Sequence, residues 1–272
     1  MTGEPVFAPS TIRAIEATTA AGTKLCQMID MNQSLQVQTK PDNTLVTNVD
    51  LALQEEILDR LTDHVIVSEE MPETHTLIGQ AADFFVIDPL DGTTSCKRFF
   101  TARHTQVGFG PMVGYVQSGR IEAVSFFNAP QRALFVAERG KGAWIQRDGG
   151  SYTRLQPIIP PRLVECGLLF YAGLSGELPF IERVRQHDLV ENIYRFGGFA
   201  NDCSRLAQGF EQVQVQFSVK AWDLPAALLV EEAGLAVRVR DASNEWVPLA
   251  DWTVSHANPI LAAPQQFFEQ LI

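Results

Sequence analysis

Asp88, Pro89, Leu90, Asp91, Gly92, Thr93 and Thr94 follow directly behind the apolar run Phe84-Phe85-Val86-Ile87. Two carboxylates three positions apart offer the hard oxygen ligands that Mg²⁺ prefers. Gly92 frees the backbone to turn sharply. The N–H groups of Gly92, Thr93 and Thr94 would then open a short helix aimed at an anion. Oxygen ligands beside an anion-cradling turn suit metal-assisted chemistry on phosphate. The same residues also make an ordinary strand exit, because Asp-Pro and Asp-Gly are common turn dipeptides.

Four more acidic residues, at three places in the chain, join this stretch. Glu69-Glu70 closes the β-branched run Val65-Ile66-Val67-Ser68, and Glu69 precedes Asp88 by 19 residues. Two strands that both run out into acid match the rule that ligands gather at the carboxyl ends of strands in α/β sheets. Asp50 falls in the first turn of a helical pattern capped by Thr47 or Asn48, where the helix dipole alone would account for a carboxylate. Asp223 follows Trp222 at the head of the apolar helix Leu224 to Ala233. It is placed to cap that helix, or to bring a further carboxylate to the others.

The elements that must hold these groups can be read from periodicity. Apolar positions from Pro9 to Met31 recur at helical spacing, with Ser10 or Thr11 as the cap. Gln36 to Thr39 reads as a strand and Lys40-Pro41-Asp42-Asn43 as a turn, followed by helical spacing from Leu51 to Leu61. Phe84 to Ile87 reads as a strand buried on both faces. Pro89, which has no ladder donor, marks its end. His104 to Phe135 alternates into an antiparallel meander. The Gly-, Ser- and Pro-rich stretch from Asp148 to Pro161 divides the chain into halves 1–150 and 151–272. In the second half Leu163 to Phe170, Ile193 to Phe196 and Val213 to Val219 read as strands. Pro179 to Asp188 and Ala200 to Gln208 read as helices, the latter closed by Gly209.

Composition narrows the field. The chain has 272 residues and a net charge of −11, which disfavours nonspecific nucleic-acid binding. It also fits a phosphorylated substrate poorly unless bound cations reverse the local sign. No apolar run is long enough for a membrane helix, and the first residues show no secretory pattern. The four cysteines are scattered without a CxxC pair, which fits a reducing cytoplasm.

Val67-Ser68-Glu69-Glu70, the run Asp88 to Thr94, and Trp222-Asp223 with Glu232-Ala233-Gly234 downstream together resemble the inositol monophosphatase family. Its members are Mg²⁺-dependent, lithium-sensitive phosphomonoesterases. Leu45-Val46-Thr47 with Asp50 matches the family's N-terminal motif, and Arg139-Gly140-Lys141-Gly142-Ala143 its central turn, so the resemblance covers most of the chain. It implies an α/β fold, a layered α-β-α-β-α sandwich of the sugar/inositol phosphatase type, with the site between the halves. It implies one Mg²⁺ on Glu69, Asp88 and the Leu90 carbonyl, a second on Asp88, Asp91 and Asp223, and a weaker third near Glu69. Asp50 and Thr93 would activate a water that attacks phosphorus directly, without a phosphoenzyme. Gly92, Thr93, Thr94 and Gln216 would face a small phosphorylated metabolite, and a homodimer would be usual.

Some positions depart from the family pattern. Ser95-Cys96-Lys97-Arg98 stands where an asparagine or glutamate and then an aromatic are usual. Lys97 and Arg98 are either a solvated surface or extra positive charge for a second anionic group. Gly197 to Asp202 follows the family's small-residue substrate motif only loosely. Gln216 occupies the position of a sugar-reading glutamate and weakens that charge-assisted bond. Inositol phosphate, 3′-phosphoadenosine 5′-phosphate, fructose 1,6-bisphosphate and histidinol phosphate all remain candidate substrates. A catalytically weak member acting as a binding or regulatory partner is the reading from another class.

Overall fold

The computed structural model describes residues 4–39, 45–102, 108–171, 178–241, 243, 245–251 and 257–272. Helix α1 (Pro9–Asp30) turns Ala14, Ala17, Thr18, Ala21, Leu25 and Met28 to the core at helical spacing. Neither Ser10 nor Thr11 caps it. Ala8 is the N-cap residue, and its N–H and the Thr11 hydroxyl both donate to Glu138 Oε2, at 2.8 and 2.7 Å. A carboxylate from a distant strand thus takes the N-cap N–H that the N3 side chain takes in a capping box.

Strands β1 (Val37–Thr39) and β2 (Leu45–Thr47) pair antiparallel, and Thr47 caps helix α2 (Asn48–Leu58). The turn expected at 40–43 lies outside the described residues. A seven-stranded sheet follows in chain order: β3 (Ile66–Ser68), β4 (Asp83–Asp91), β5 (Gly110–Gln117), β6 (Arg120–Asn128), β7 (Ala133–Glu138), β8 (Gly142–Arg147) and β9 (Thr153–Arg154). Helix α3 (Thr93–Ala102) leaves the end of β4. Within this sheet only β3 and β4 pair parallel, and the meander from β5 to β8 is antiparallel as its alternation predicts. His104 and Val107, at the expected start of that meander, lie outside the described residues.

Pro89 does not end its strand. Strand β4 continues to Asp91, and its register against β5 shifts between Asp88, opposite Met112, and Asp91, opposite Gly110. Three steps along β4 match two along β5, so one extra residue bulges out. The missing N–H of Pro89 falls in that bulge, one of the few places a sheet tolerates proline.

The six-stranded sheet runs in the order β11-β10-β12-β15-β13-β14. Its elements are β10 (Gly167–Tyr171), α4 (Leu178–Gln186), β11 (Asn192–Tyr194), α5 (Phe199–Gln208), β12 (Val213–Lys220), α6 (Ala227–Glu232), β13 (Ala236–Arg240), β14 (Trp246–Pro248), β15 (Ala257–Ala263) and α7 (Phe268–Leu271). Gly209 closes α5 in the left-handed conformation, as expected. The single helix expected from Leu224 to Ala233 divides into a 3₁₀ turn at Leu224–Ala226 and then α6.

Alternation along β4 shows how the layers stack. Phe85 and Ile87 face a core shared with α1 and α2, through Leu25, Leu53 and Ile57. Phe84 and Val86 face the opposite core, shared with α5 and α6 and with the six-stranded sheet, through Leu206, Leu228, Leu169 and Ile260. The far side of that sheet packs Val213, Val215 and Leu261 on α4 and α7 through Val184 and Phe268. The order is helix, sheet, helix, sheet, helix, the expected sandwich. Among the described residues no helix is long and apolar enough to cross a membrane.

The Arg139–Ala143 turn is tied to the segment after Asp223. Glu232 accepts the N–H groups of Gly140 and Gly142, both at 2.8 Å, and Arg139 pairs with Glu231 at 2.8 Å. These two stretches of the resemblance are therefore one structural clamp, and the turn carries no phosphate loop.

Candidate metal and phosphate site

The two parallel strands end side by side. Beyond β3 the Glu69 N–H still donates to the Ile87 carbonyl, at 3.0 Å. Beyond Ile87 comes the bulged end of β4 with Asp88, Leu90 and Asp91. Asp223 arrives from the other sheet, three residues past Lys220 at the end of β12. Its side chain does not cap the following turn; Oδ2 accepts the Lys220 N–H instead, at 3.3 Å. Asp88, Asp91 and Asp223 each present an oxygen within 4.8 Å of the others'. The carboxylate of Glu69 is outside that trio, although its charge acts on all three.

Asp50 approaches from α2. Its Oδ2 accepts the Thr47 N–H at 2.8 Å and the Thr47 hydroxyl, while Thr47 accepts back from the helix N–H groups, a closed capping box. Its Oδ1 lies 3.3 Å from Thr93 Oγ1, which lies 3.2 Å from the Leu90 carbonyl. The dipole explanation and the contact with Thr93 therefore both hold for Asp50. Gly92, at φ +80°, makes the turn into α3, and Thr94 is exposed on its first turn.

Electrostatics set this cluster apart. Burial, reinforced by Glu69, Asp91 and Asp223, holds the Asp88 carboxyl well above the usual carboxylate range. Burial and the charges of Asp91 and Glu69 do the same to Asp223, which shares a hydrogen bond with Asp88. Asp91 is pushed up to about 6 by burial, although the N–H groups of Ala200, Asn201 and Phe199 pull it down. Burial carries Asp50 up to about 7, against its bonds to Thr47. Among the described residues no lysine, arginine or histidine forms an ion pair with any of the four. Such a set needs protons or a cation to be stable.

The start of α5, within the Gly197 to Asp202 stretch that follows the family motif only loosely, supplies contacts to Asp91 that the sequence does not show. Asn201 N–H donates to Asp91 Oδ2 at 3.3 Å, and Asn201 Oδ1 accepts from Asn128 Nδ2 at 3.2 Å. A helix N-terminus is thus aimed at Asp91. Asp202 is buried beside it and accepts from the Asn201 amide at 3.3 Å. Gly197-Gly198 was the available signal. Gly198 sits at φ +95°, and a Cβ there would stand 2.8 Å from Asp91 Oδ2. Gly198→Ala is expected to cost about 2–4 kcal/mol of stability through backbone strain and overpacking. It should also weaken cation binding; thermal melts with and without Mg²⁺ check both.

The remaining candidates lie farther out. Gln216 is buried on β12, in register with Tyr171 and Ile260. It makes no hydrogen bond to the acidic cluster among the described residues. Lys97 and Arg98 are exposed on α3, and no described carboxylate forms an ion pair with either.

Comparison with known proteins bears on this geometry. The sequence model of the inositol monophosphatase family matches residues 8–272. The chain belongs to that family. It is 30% identical over 230 residues to the Nus factor SuhB of Pasteurella multocida, covering 81% of each protein. Identity to the inositol-1-monophosphatase of Caulobacter vibrioides is 26% over 271 residues, covering 95% of this chain and 97% of the relative. Identity to the histidinol-phosphatase of Mycobacterium tuberculosis is 30% over 211 residues, covering 74% and 76%. Among solved structures, the extragenic suppressor protein SuhB of Bartonella henselae has a TM-score of 0.75 at 24% identity, covering 97% of both chains. The Thermotoga maritima IMPase TM1415 has a TM-score of 0.75 at 21% identity, covering 97% of this chain and 95% of its own. Family membership makes the chain a phosphoric monoester hydrolase, and these structures share its fold. Among the described residues, Asp88, Asp91 and Asp223 are the one group of three or more Asp, Glu, His or Cys placed so that they could hold a metal ion.

Proposed function

We propose that the chain is a Mg²⁺-dependent phosphomonoesterase acting on a small phosphorylated metabolite in the cleft between residues 1–150 and 151–272. The observation that carries this reading is the trio Asp88, Asp91 and Asp223, with oxygens within 4.8 Å and no cationic partner among the described residues. All-oxygen donors whose charges repel one another suit a hard divalent ion. Glu69 and the Leu90 carbonyl would complete the sites of two ions that share Asp88, with a weaker third beside Glu69. The bound cation supplies Lewis acidity toward a phosphoryl oxygen and toward water.

The chain's own groups do the rest. Asp50 Oδ1 accepts the Thr93 hydroxyl proton, which leaves the Thr93 oxygen free to accept from and orient a water. The buried surroundings that raise Asp50 bring it close to the pH at which it must take and return that proton. The N–H groups of Gly92, Thr93 and Thr94 hold the phosphate oxygens at the head of α3. Water attacks phosphorus, the P–O bond to the metabolite breaks, and the alcohol leaves with a proton. No side chain is phosphorylated, so solvent ¹⁸O should enter phosphate in a single turnover. A trapped phosphoprotein would contradict this.

An inositol monophosphate-like substrate is the first candidate. The names of the relatives also favour histidinol phosphate, and bisphosphorylated nucleotide and sugar substrates stand beside it. Lys97 and Arg98, which have no carboxylate partner among the described residues, would favour a substrate with a second anionic group. A panel of these four substrates with Mg²⁺, with and without lithium, decides among them. We expect at least one to turn over with lithium inhibition, and Lys97→Met to lower bisphosphate turnover selectively. A homodimer and a cytoplasmic setting accompany this reading.

A second reading rests on the Nus factor name of the P. multocida relative. The chain would then act mainly through its surface, with weak catalysis. Negligible turnover on the whole panel by protein that still binds Mg²⁺ would favour it.

A further inference from the structure

We propose that His75 is a positioning residue, latching the strand end that carries Glu69 to the segment that carries Asp223 and thereby setting the cation affinity of the cluster. The inference rests on the metal-site reading above. After Glu69 and Glu70 the chain folds back through a 3₁₀ turn, Pro72–Leu77. That turn grips Ser68, the residue before Glu69. The Ser68 N–H donates to Thr74 Oγ1 at 3.1 Å, its carbonyl lies 2.8 Å from His75 Nε2, and its hydroxyl donates to Gln54 Oε1 at 2.6 Å. A carbonyl partner fixes Nε2 as a donor. The same ring stacks on Trp222, with centroids 4.5 Å apart and planes at 29°. Trp222 immediately precedes Asp223.

One imidazole therefore bridges the residues just before two members of the acidic group. Ser68 ends β3 in the seven-stranded sheet and Trp222 lies two residues beyond β12 of the six-stranded one, so no strand ladder joins them. Repulsion works against the juncture, since the charge of Glu69 acts on Asp223. A tie that keeps the two backbones together in advance removes an ordering cost from cation binding. Outer partners of this kind fix ligand orientation without touching the ion.

The bland alternative is that His75 only fills space, because Leu77, Ile78 and Trp222 pack on the central core nearby. The two roles separate by experiment. Full-length wild type, His75→Ala and His75→Phe are stripped with chelator and titrated with Mg²⁺ by calorimetry and by melting temperature, and kcat and KM are measured at saturating Mg²⁺. We expect His75→Ala to weaken Mg²⁺ binding about tenfold. His75→Phe, which keeps a stacking ring and loses the hydrogen bond, should show a smaller loss. Turnover at saturating Mg²⁺ should stay near wild type, because no group that touches substrate is removed. A lower melting temperature with unchanged Mg²⁺ affinity in both variants would overturn the latch. If His75→Ala does not fold, His75→Phe decides alone: weaker affinity supports the latch and wild-type affinity overturns it. A wild type that binds no Mg²⁺ would overturn the metal reading itself, and this inference with it.

Discussion

Asp88→Asn should lower phosphatase turnover by a factor on the order of 10³ or more, and yet make the chelated protein more stable. The two effects have one origin. Asp88 is buried among Glu69, Asp91 and Asp223, all of which raise its carboxyl. An amide of the same shape ends that repulsion in the metal-free protein, but it offers a cation only a neutral oxygen. It also breaks the link between the two proposed ions. The Leu90 N–H, now 2.9 Å from Asp88 Oδ1, can still donate to the amide oxygen. Turnover assays paired with melts in chelator give the check. Retained activity would place the chemistry elsewhere, and a large loss of stability would mean that Asp88 is mainly structural.

The chelated protein should lose stability as the pH rises. Asp91 and Asp50 hold their protons up to about 6 and about 7 in the folded state, against 3.8 for the ordinary group. The folded chain therefore keeps protons that the unfolded chain releases, and stability falls wherever that is so. The loss begins near pH 4 and runs through pH 7, with Asp88 and Asp223 adding in the same direction. Each pKa unit corresponds to about 1.4 kcal/mol. A fall in melting temperature on the order of 10 °C between pH 5 and pH 8 is expected. Saturating Mg²⁺ should reverse it, with a larger stabilisation at pH 8 than at pH 5, where protons compete for the same oxygens. Scanning calorimetry at fixed ionic strength measures both. A chelated protein that gains stability between pH 5 and 8 would show that these carboxylates are already neutralised by something else.

Much of this molecule is legible in its residues, and the illegible parts share a cause. Strands such as β4 and β12 and helices such as α2 and α5 carry their own periodicity and punctuation, including Thr47 at the head of α2 and Gly209 after α5. Local patterns do not say which distant group meets a chain end. The N-terminus of α1 satisfies its donors on Glu138, and that cannot be read from Ser10 or Thr11. Asn128 and Asn201 meet across the sheet and helix by tertiary packing alone. The strands after Gly234 escape for another reason. Strand β14 has only three residues, β13 offers the five-residue run Ala-Val-Arg-Val-Arg, and Pro259 interrupts the apolar run of β15.

The bulge in β4 has a geometric consequence for how the enzyme can vary. Residues three apart in a regular strand project to opposite sides, so Asp88 and Asp91 would be separated by the full thickness of the sheet. The additional residue restores parity, which is why two acids at an odd interval can bring their oxygens within 4.8 Å of each other. The length of Asp88-Pro89-Leu90-Asp91 is thus constrained more tightly than its middle composition. Deleting one position there would invert an acid as surely as mutating it.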